Sequence, residues 1–175
     1  MTTTEATLAV IGAILVFWIV GAYNRMVRLR NDLVARFAAV DERYRQRHVL
    51  LHSQLDLLSS ALASAAPRLD ALRAACQQAH AAREHARARP AAAGAVTSLR
   101  VADGILADAR SRLPVQSVAG VDLPELNQRL AASDTALVFA RGEFNAAVAA
   151  YNQALRQFPT VLVAQLFAFR AAAAF

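Results

Sequence analysis

The chain opens with a long apolar segment. Residues 6–22 read ATLAVIGAILVFWIVGA and contain no charged side chain. As a helix with a rise of about 1.5 Å per residue, this segment covers about 25 Å, near the short end of a bilayer core. A cleaved secretory leader is the alternative, because residues 20–22 resemble a small-residue cleavage site. A leader carries positive charge before its apolar run, whereas Glu5 stands there instead. We therefore predict a retained transmembrane anchor over residues 1–22.

Beyond the anchor, apolar residues recur every three or four positions as far as Ala65, which predicts one long amphipathic helix. Neither glycine nor proline interrupts residues 23–66, so the anchor is predicted to continue directly into this helix. One seven-residue lattice, with Arg30 as its exception, contains Tyr23, Phe37, Tyr44, Leu51 and Leu58. Such a repeat is typical of helical bundles and coiled coils.

Proline and glycine divide the remainder of the chain. The breaks are Pro67, the sequence PAAAGA at residues 90–95, and residues 114–120. A second helix is predicted after Pro67, and it ends near Arg89. A third is predicted over residues 97–113, where Gly104 weakens the helical pattern.

The start of a fourth helix carries the strongest local signal. Asp122 is placed as an N-cap, and Glu125 follows three residues later as in a capping box. A long apolar seam then extends to Phe158, and Pro159 is predicted to end or bend the helix.

These patterns predict an all-α protein, in which an N-terminal transmembrane helix is continuous with an antiparallel four-helix bundle and a short apolar helix follows. The predicted division is an anchor over residues 1–22, a bundle over 23–159 and an apolar C-terminal segment over 160–175. An up-down-up-down bundle returns the fourth helix to the membrane. The C-terminal segment is therefore expected either to lie in the membrane interface or to pack under the bundle.

The basic residues support a membrane interpretation of the formal net charge of +6. All 19 of them are arginines, and Arg25, Arg28 and Arg30 follow the anchor directly. The positive-inside rule then places the N-terminus outside and the bundle in the cytoplasm of a bacterial inner membrane. Trp18 and Tyr23 are expected at the membrane interface, with the three arginines near anionic headgroups. We expect no nucleic-acid partner.

Two motifs near the ends of the chain resemble the LemA family of bacterial membrane proteins. The first is YNRMVRLRN, beginning at Tyr23-Asn24 and closing at Asn31. The second begins at Ala140-Arg141, where phenylalanine replaces the tyrosine usual before Asn145. It continues through Val148, Tyr151-Asn152 and Phe158-Pro159. The resemblance implies a membrane-anchored helical bundle and no agreed enzymatic activity.

The asparagines of these motifs suggest a contact between helices. Asn24 and Asn31 are seven residues apart, as are Asn145 and Asn152. If the first and fourth helices are antiparallel, with Tyr23 near Phe158, then Asn31 falls close to Asn152. A buried amide pair there would fix the register of the two helices. Solvated asparagines beside the seam are the alternative.

No catalytic constellation emerges from the sequence. His48, His52 and Asp56 share one helix face, but the outer two are about 12 Å apart and cannot converge on one metal ion without a second helix. We interpret them as a solvated polar face, and we interpret the single Cys76 as a packing residue. We expect no catalytic residue, no metal and no cofactor.

The function expected from the sequence is non-catalytic: a scaffold, or an accessory or assembly subunit of a membrane complex. Its partners would be the bilayer and either other membrane proteins or further copies of itself. A sensor whose bundle packing responds to a ligand is the alternative, and a metal-dependent enzyme using His48 and His52 is the least favoured.

Overall fold

A computed structural model describes residues 3–61, 66–113 and 123–175. Five helices follow one another along the chain: α1 (Thr3–Ala61), α2 (Ala66–Ala88), α3 (Ala93–Ser111), α4 (Leu123–Arg156) and α5 (Thr160–Leu166). The predicted all-α class and the bundle are confirmed. The capping signals around Asp122 and the predicted loop at 114–120 lie outside the described residues, as does the part of the predicted first helix at residues 62–65.

Helix α1 combines two different surfaces in one uninterrupted element of 59 residues. From residue 3 to residue 21, nearly every apolar side chain of α1 is exposed. From Met26 onward one stripe becomes buried, and it includes the lattice residues Phe37, Tyr44, Leu51 and Leu58. Among the described residues α1 is the one helix long and apolar enough to cross a membrane, with a mean hydropathy of 2.2 in its most apolar window.

The buried side chains form two apolar clusters at different heights in the bundle. The lower cluster, nearer the apolar segment of α1, is built around Met26, Leu33, Phe37, Leu99, Phe144 and Tyr151. The upper cluster is built around Leu51, Leu58, Leu72, Cys76, Leu106 and Leu130. The predicted packing role of Cys76 agrees with its complete burial as a free thiol.

Helix α3 begins earlier than the glycine-rich sequence predicts. Its first residue is Ala93, and Ala92 stands before it in an extended conformation. Gly94 therefore lies in the first turn, where the backbone amides have no helical partners in any case and a glycine costs little. The predicted start at Thr97 is four residues too late, and the turn between α2 and α3 is shortened to residues 89–92.

The C-terminal segment consists of a short helix followed by an irregular stretch. Helix α5 follows the predicted break at Pro159 and packs against α1 and α4 through Thr160, Val163 and Ala164, while Leu162 and Leu166 stay exposed. Residues 169–175, which we call the tail, then leave the helix and run back along the groove between α1 and α4. The tail is irregular in structure, and the sequence did not predict its position.

Gly104 offers a test of the fold. It lies exposed in the interior of α3, and a Cβ atom added there meets nothing within 4 Å. We expect Gly104→Ala to raise the free energy of unfolding by about 0.5–1 kcal/mol, because alanine loses less backbone entropy in a helix. Urea denaturation followed by circular dichroism measures the change. Ala107→Gly, at another exposed position of α3, is the matched control and should lower stability by a similar amount; a loss in both variants would contradict this placement of α3.

Candidate functional site

Two asparagines of α4 hold the backbone of the tail. The amide of Asn152 accepts from the N–H of Ala172 and donates to its carbonyl, with both distances at 2.9 Å. Asn145 repeats the arrangement at Phe175, accepting from its N–H at 2.9 Å and donating to its carbonyl at 3.4 Å. Each side chain thus replaces the neighbouring strand that an extended segment would have in a sheet. We call these two contacts the asparagine clamps.

The spacing of the clamps matches an extended tail. Seven residues of α4 separate Asn145 from Asn152, a rise of about 10.5 Å. Ala172 and Phe175 are three residues apart, and an extended chain covers about 10 Å over that interval. Two helical turns of α4 therefore separate the two amides by about the distance that separates Ala172 from Phe175 in an extended chain. Tyr151 adds a third contact, since its hydroxyl donates to the carbonyl of Arg170 at 3.1 Å.

The ring of Phe175 is enclosed by aromatic side chains and a guanidinium group. Its centroid lies 5.5 Å from that of Phe144 in an edge-to-face arrangement and 6.5 Å from that of Phe37 in a stacked one. The Arg141 guanidinium carbon lies 5.0 Å from the ring centroid, within the range of a cation–π interaction. Tyr44 completes the enclosure at 6.1 Å. This aromatic pocket binds one side chain of the tail, whereas the asparagine clamps bind only its backbone.

Arg141 also belongs to a layer of charges between the two apolar clusters. Its Nη2 donates to Asp103 Oδ2 at 2.7 Å and to the hydroxyl of Tyr44. The other oxygen of Asp103 accepts from Nη1 of Arg47 at 2.5 Å. Arg47 is itself buried, and its Nε lies 2.7 Å from Asp134, which also pairs with Arg110 at 2.9 Å. We call this set the ionic layer; it joins α1, α3 and α4 at one height.

Tyr44 is held as a neutral phenol in this layer. Burial, reinforced by the nearby negative charge of Asp103, raises the pKa of Tyr44 to about 12. Its hydroxyl oxygen therefore stays uncharged and accepts from Arg141 without adding a further charge to the interior.

The residues predicted to lie at a membrane interface gather where α1 leaves the apolar segment. The ring of Trp18 lies 5.7 Å from that of Phe158, and the ring of Tyr23 lies 4.8 Å from that of Phe167. Arg25 donates to Gln157 at 3.0 Å, and Arg28 and Arg30 are exposed. Beside them is an open cleft of about 750 Å³, whose lining includes four arginines: Arg30, Arg87, Arg89 and Arg170.

The predicted pairing of Asn31 with Asn152 is wrong. Both functional atoms of the Asn152 amide are used by Ala172, and Asn31 is exposed on the surface of α1, as is Asn24. The tail lies along this part of the groove and takes the hydrogen bonds that a partner amide would have taken. The four motif asparagines therefore divide into two that bind the tail and two that face outward.

The histidines pack more closely than the sequence predicts. His52 and Asp56 are exposed as expected, but His48 is half-buried, and His80 of α2 stacks on it with a centroid distance of 4.9 Å. The ring of His52 lies 4.4 Å from His48 at 73°. In the described ranges no group of three or more His, Cys, Asp or Glu side chains has the geometry to hold a metal ion.

Sequence reasoning missed Tyr44, Arg47, Asp103 and Phe175 as members of this site. Arg47 and Asp103 gave a weak signal, since each places a charge on a helix face that is otherwise apolar. Phe175 gave no signal that sequence alone could use, because its partners lie about 30 residues away on α4 and more than 130 residues away on α1.

The asparagine clamp at Ala172 can be tested by mutation. Ala172 is buried, so Asn152→Ala leaves its N–H and carbonyl without partners. We expect a loss of about 1–3 kcal/mol in the free energy of unfolding and faster hydrogen exchange at the Ala172 amide. Asn31→Ala is the control and should change stability by less than about 0.5 kcal/mol, because its side chain is exposed. Equal effects of the two substitutions would refute the clamp.

The histidine group predicts a pH dependence. Burial, followed by the charges of His52, His80 and Arg83, lowers the pKa of His48 from 6.5 to about 4. Between these values the unfolded chain binds a proton that the folded chain does not, so stability falls as the pH is lowered from 6.5 toward 4. Thermal unfolding across this range should show a shallower decline for His48→Gln than for the unsubstituted protein. His85→Gln, at an exposed position of α2, should leave the decline unchanged; an unchanged decline in His48→Gln would contradict the assignment.

A known protein family matches most of the chain. The family model described as the LemA family matches residues 36–175, which include α4, α5 and the tail. No match was found among curated proteins or among solved structures. Four residues of the second motif contact the tail: Arg141 covers the Phe175 ring, Asn145 and Asn152 bind the tail backbone, and Tyr151 donates to the carbonyl of Arg170. The matched range is well over half of the sequence, and the chain belongs to the LemA family.

Proposed function

We propose that this protein is a non-catalytic, membrane-anchored helical bundle that serves as a scaffold or accessory subunit of a membrane complex. The observation that carries the proposal is the continuity of α1. Its exposed apolar segment and its bundle segment are one helix without a break, so an anchored segment would hold the bundle at a fixed height above the bilayer. Such an arrangement presents a surface to neighbours in the membrane and requires no chemistry.

The charges at the base of the bundle support the direction of insertion. Arg25, Arg28 and Arg30 follow the apolar segment, and the arginine-lined cleft lies beside them. Under the positive-inside rule this end faces the cytoplasm, with the N-terminus outside. Anionic lipid headgroups are the chemistry that such a cleft would attract, at about 1 kcal/mol for each arginine near the surface. The bacterial inner membrane, with the bundle in the cytoplasm, is the location we propose.

An exposed apolar pair on α4 is the surface that best suits a protein partner. Phe139 and Val138 are 72% and 67% exposed, although both lie beside the buried face of the helix. The contact of Phe144 with Phe37 puts Phe139 level with about residue 42 of α1, or about 28 Å beyond Tyr23. That height is above the headgroups of the bilayer. The cytoplasmic part of another membrane protein is therefore the occupant we propose.

Photo-crosslinking in native membranes tests this function. An amine-reactive reagent would find no lysine in this chain, so p-benzoylphenylalanine is placed at position 139 instead. After illumination, mild detergent extraction and mass spectrometry, we expect one stoichiometric membrane protein to be captured. The matched control carries the same group at Val49, which is 59% exposed on α1 and should capture little.

A substitution adds a second measurement. Phe139→Gln should lower the amount of the same protein that co-purifies without crosslinking at least tenfold, by loss of an apolar side chain worth about 1.5–3 kcal/mol when buried, and leave thermal stability unchanged. Val49→Gln should affect neither. Capture of only this chain from position 139 would indicate a self-assembling scaffold in place of an accessory subunit, and no capture from either position would refute the proposal.

A further inference from the structure

The contacts that hold the tail do not require it to belong to the same chain. The asparagine clamps bind the backbone of Ala172 and Phe175, and the aromatic pocket binds one phenylalanine ring. Every copy of the protein carries the same seven residues. A neighbouring copy therefore offers the groove a ligand of identical chemistry, which is the condition for exchange of an element between protomers.

The connection between α5 and the tail is strained in the closed arrangement. Ala168 has a φ of 54°, in the left-handed region that favours glycine. It stands just after the end of α5, where Phe169 N–H donates to the carbonyl of Ala164 at 2.9 Å and Ala168 N–H donates to that of Gln165 at 3.3 Å. This is the hydrogen-bonding pattern of a Schellman helix end, and its left-handed residue is usually glycine. Alanine at this position opposes the turn that sends the tail back along its own bundle.

We propose that the groove between α1 and α4 also accepts residues 169–175 of a second copy of this chain, so that two copies exchange tails about Ala168. When the chain opens at Ala168, this residue can leave the left-handed conformation. The tail then makes the same groove contacts in the partner copy. Strained hinges of this kind are a recognised cause of exchanged dimers. The inference concerns a second copy alone, and it holds whether or not another membrane protein binds at Phe139.

Anchoring favours the exchange geometrically. The tail begins beside Tyr23, where the Phe167 ring packs, and ends at the ring of Phe37. Copies anchored by the same segment of α1 would hold these two points at equal heights above the membrane. A released tail of eight residues reaches about 26 Å, so it can follow a neighbouring groove over the whole of this distance.

Two substitutions at Ala168 are expected to shift the equilibrium between closed monomer and exchanged dimer in opposite directions. Ala168→Gly removes the backbone strain and should favour the closed monomer by about tenfold per hinge, or about a hundredfold for the two hinges of a dimer. Ala168→Val worsens the strain, because a β-branched residue is rarely left-handed, and should favour exchange. Residue 168 is exposed, so neither side chain disturbs packing. The monomer–dimer ratio of the full chain in detergent is measured by light scattering coupled to size exclusion.

A crosslink then shows whether the dimer is formed through the tail. p-Benzoylphenylalanine replaces Phe175 in each hinge variant, and a link between two chains gives a band of doubled mass on a denaturing gel. We expect this band to be strongest in Ala168→Val and weakest in Ala168→Gly, with the linked peptides mapping near Phe37 or Phe144. Adding Asn152→Ala to Ala168→Val should abolish it. Links confined to single chains in all hinge variants, or a doubled band that maps outside the groove, would overturn the proposal.

Discussion

Asp103 makes it possible for two arginines to lie inside the bundle. Its two carboxylate oxygens pair with Arg47 of α1 and Arg141 of α4, so that one residue of α3 ties three helices at a single height. Removal of one member of such a set is costly, because a buried charge is left without compensation. The ionic layer accepts one register, because a shift of one helix would separate these charges from their partners. The relative positions of α1, α3 and α4 depend on this carboxylate.

The ionic layer also determines where the tail can bind. Arg141 is held by Asp103 and Tyr44 with its guanidinium over the ring of Phe175, so the charge that fixes helix register also forms one wall of the aromatic pocket. Phe37 and Phe144 form the other walls and belong to the lower apolar cluster. The tail thus completes the lower core from outside the bundle. This explains how a segment of mostly alanine residues, with little side-chain surface of its own, is held in a defined position.

Helix boundaries and motif residues were accessible from the sequence because they depend on local chemistry. Seven-residue spacing predicted the buried lattice of α1, and Pro159 predicted the break between α4 and α5. The motif singled out Arg141, Asn145 and Asn152 but not their partners. The sequence position of an asparagine does not show which group it will hydrogen-bond. Asn152 binds the backbone of Ala172, whereas the sequence had predicted a contact with Asn31. Contacts between distant segments depend on packing that no local pattern records.

Helix α1, which carries the exposed apolar segment, also forms one side of the groove, and this connects the two ends of the structure. Tyr23 lies at the boundary between the apolar segment and the bundle, with its ring against both Phe167 and Phe169, one on each side of Ala168. A change in the tilt of the anchor would therefore act first on the hinge of the tail, because α1 has no break at which the motion could be absorbed. The ionic layer, three turns beyond Phe37, would hold the helices above in register. The hinge is therefore a point on which both a tilt of the apolar segment and the proposed exchange of tails would act.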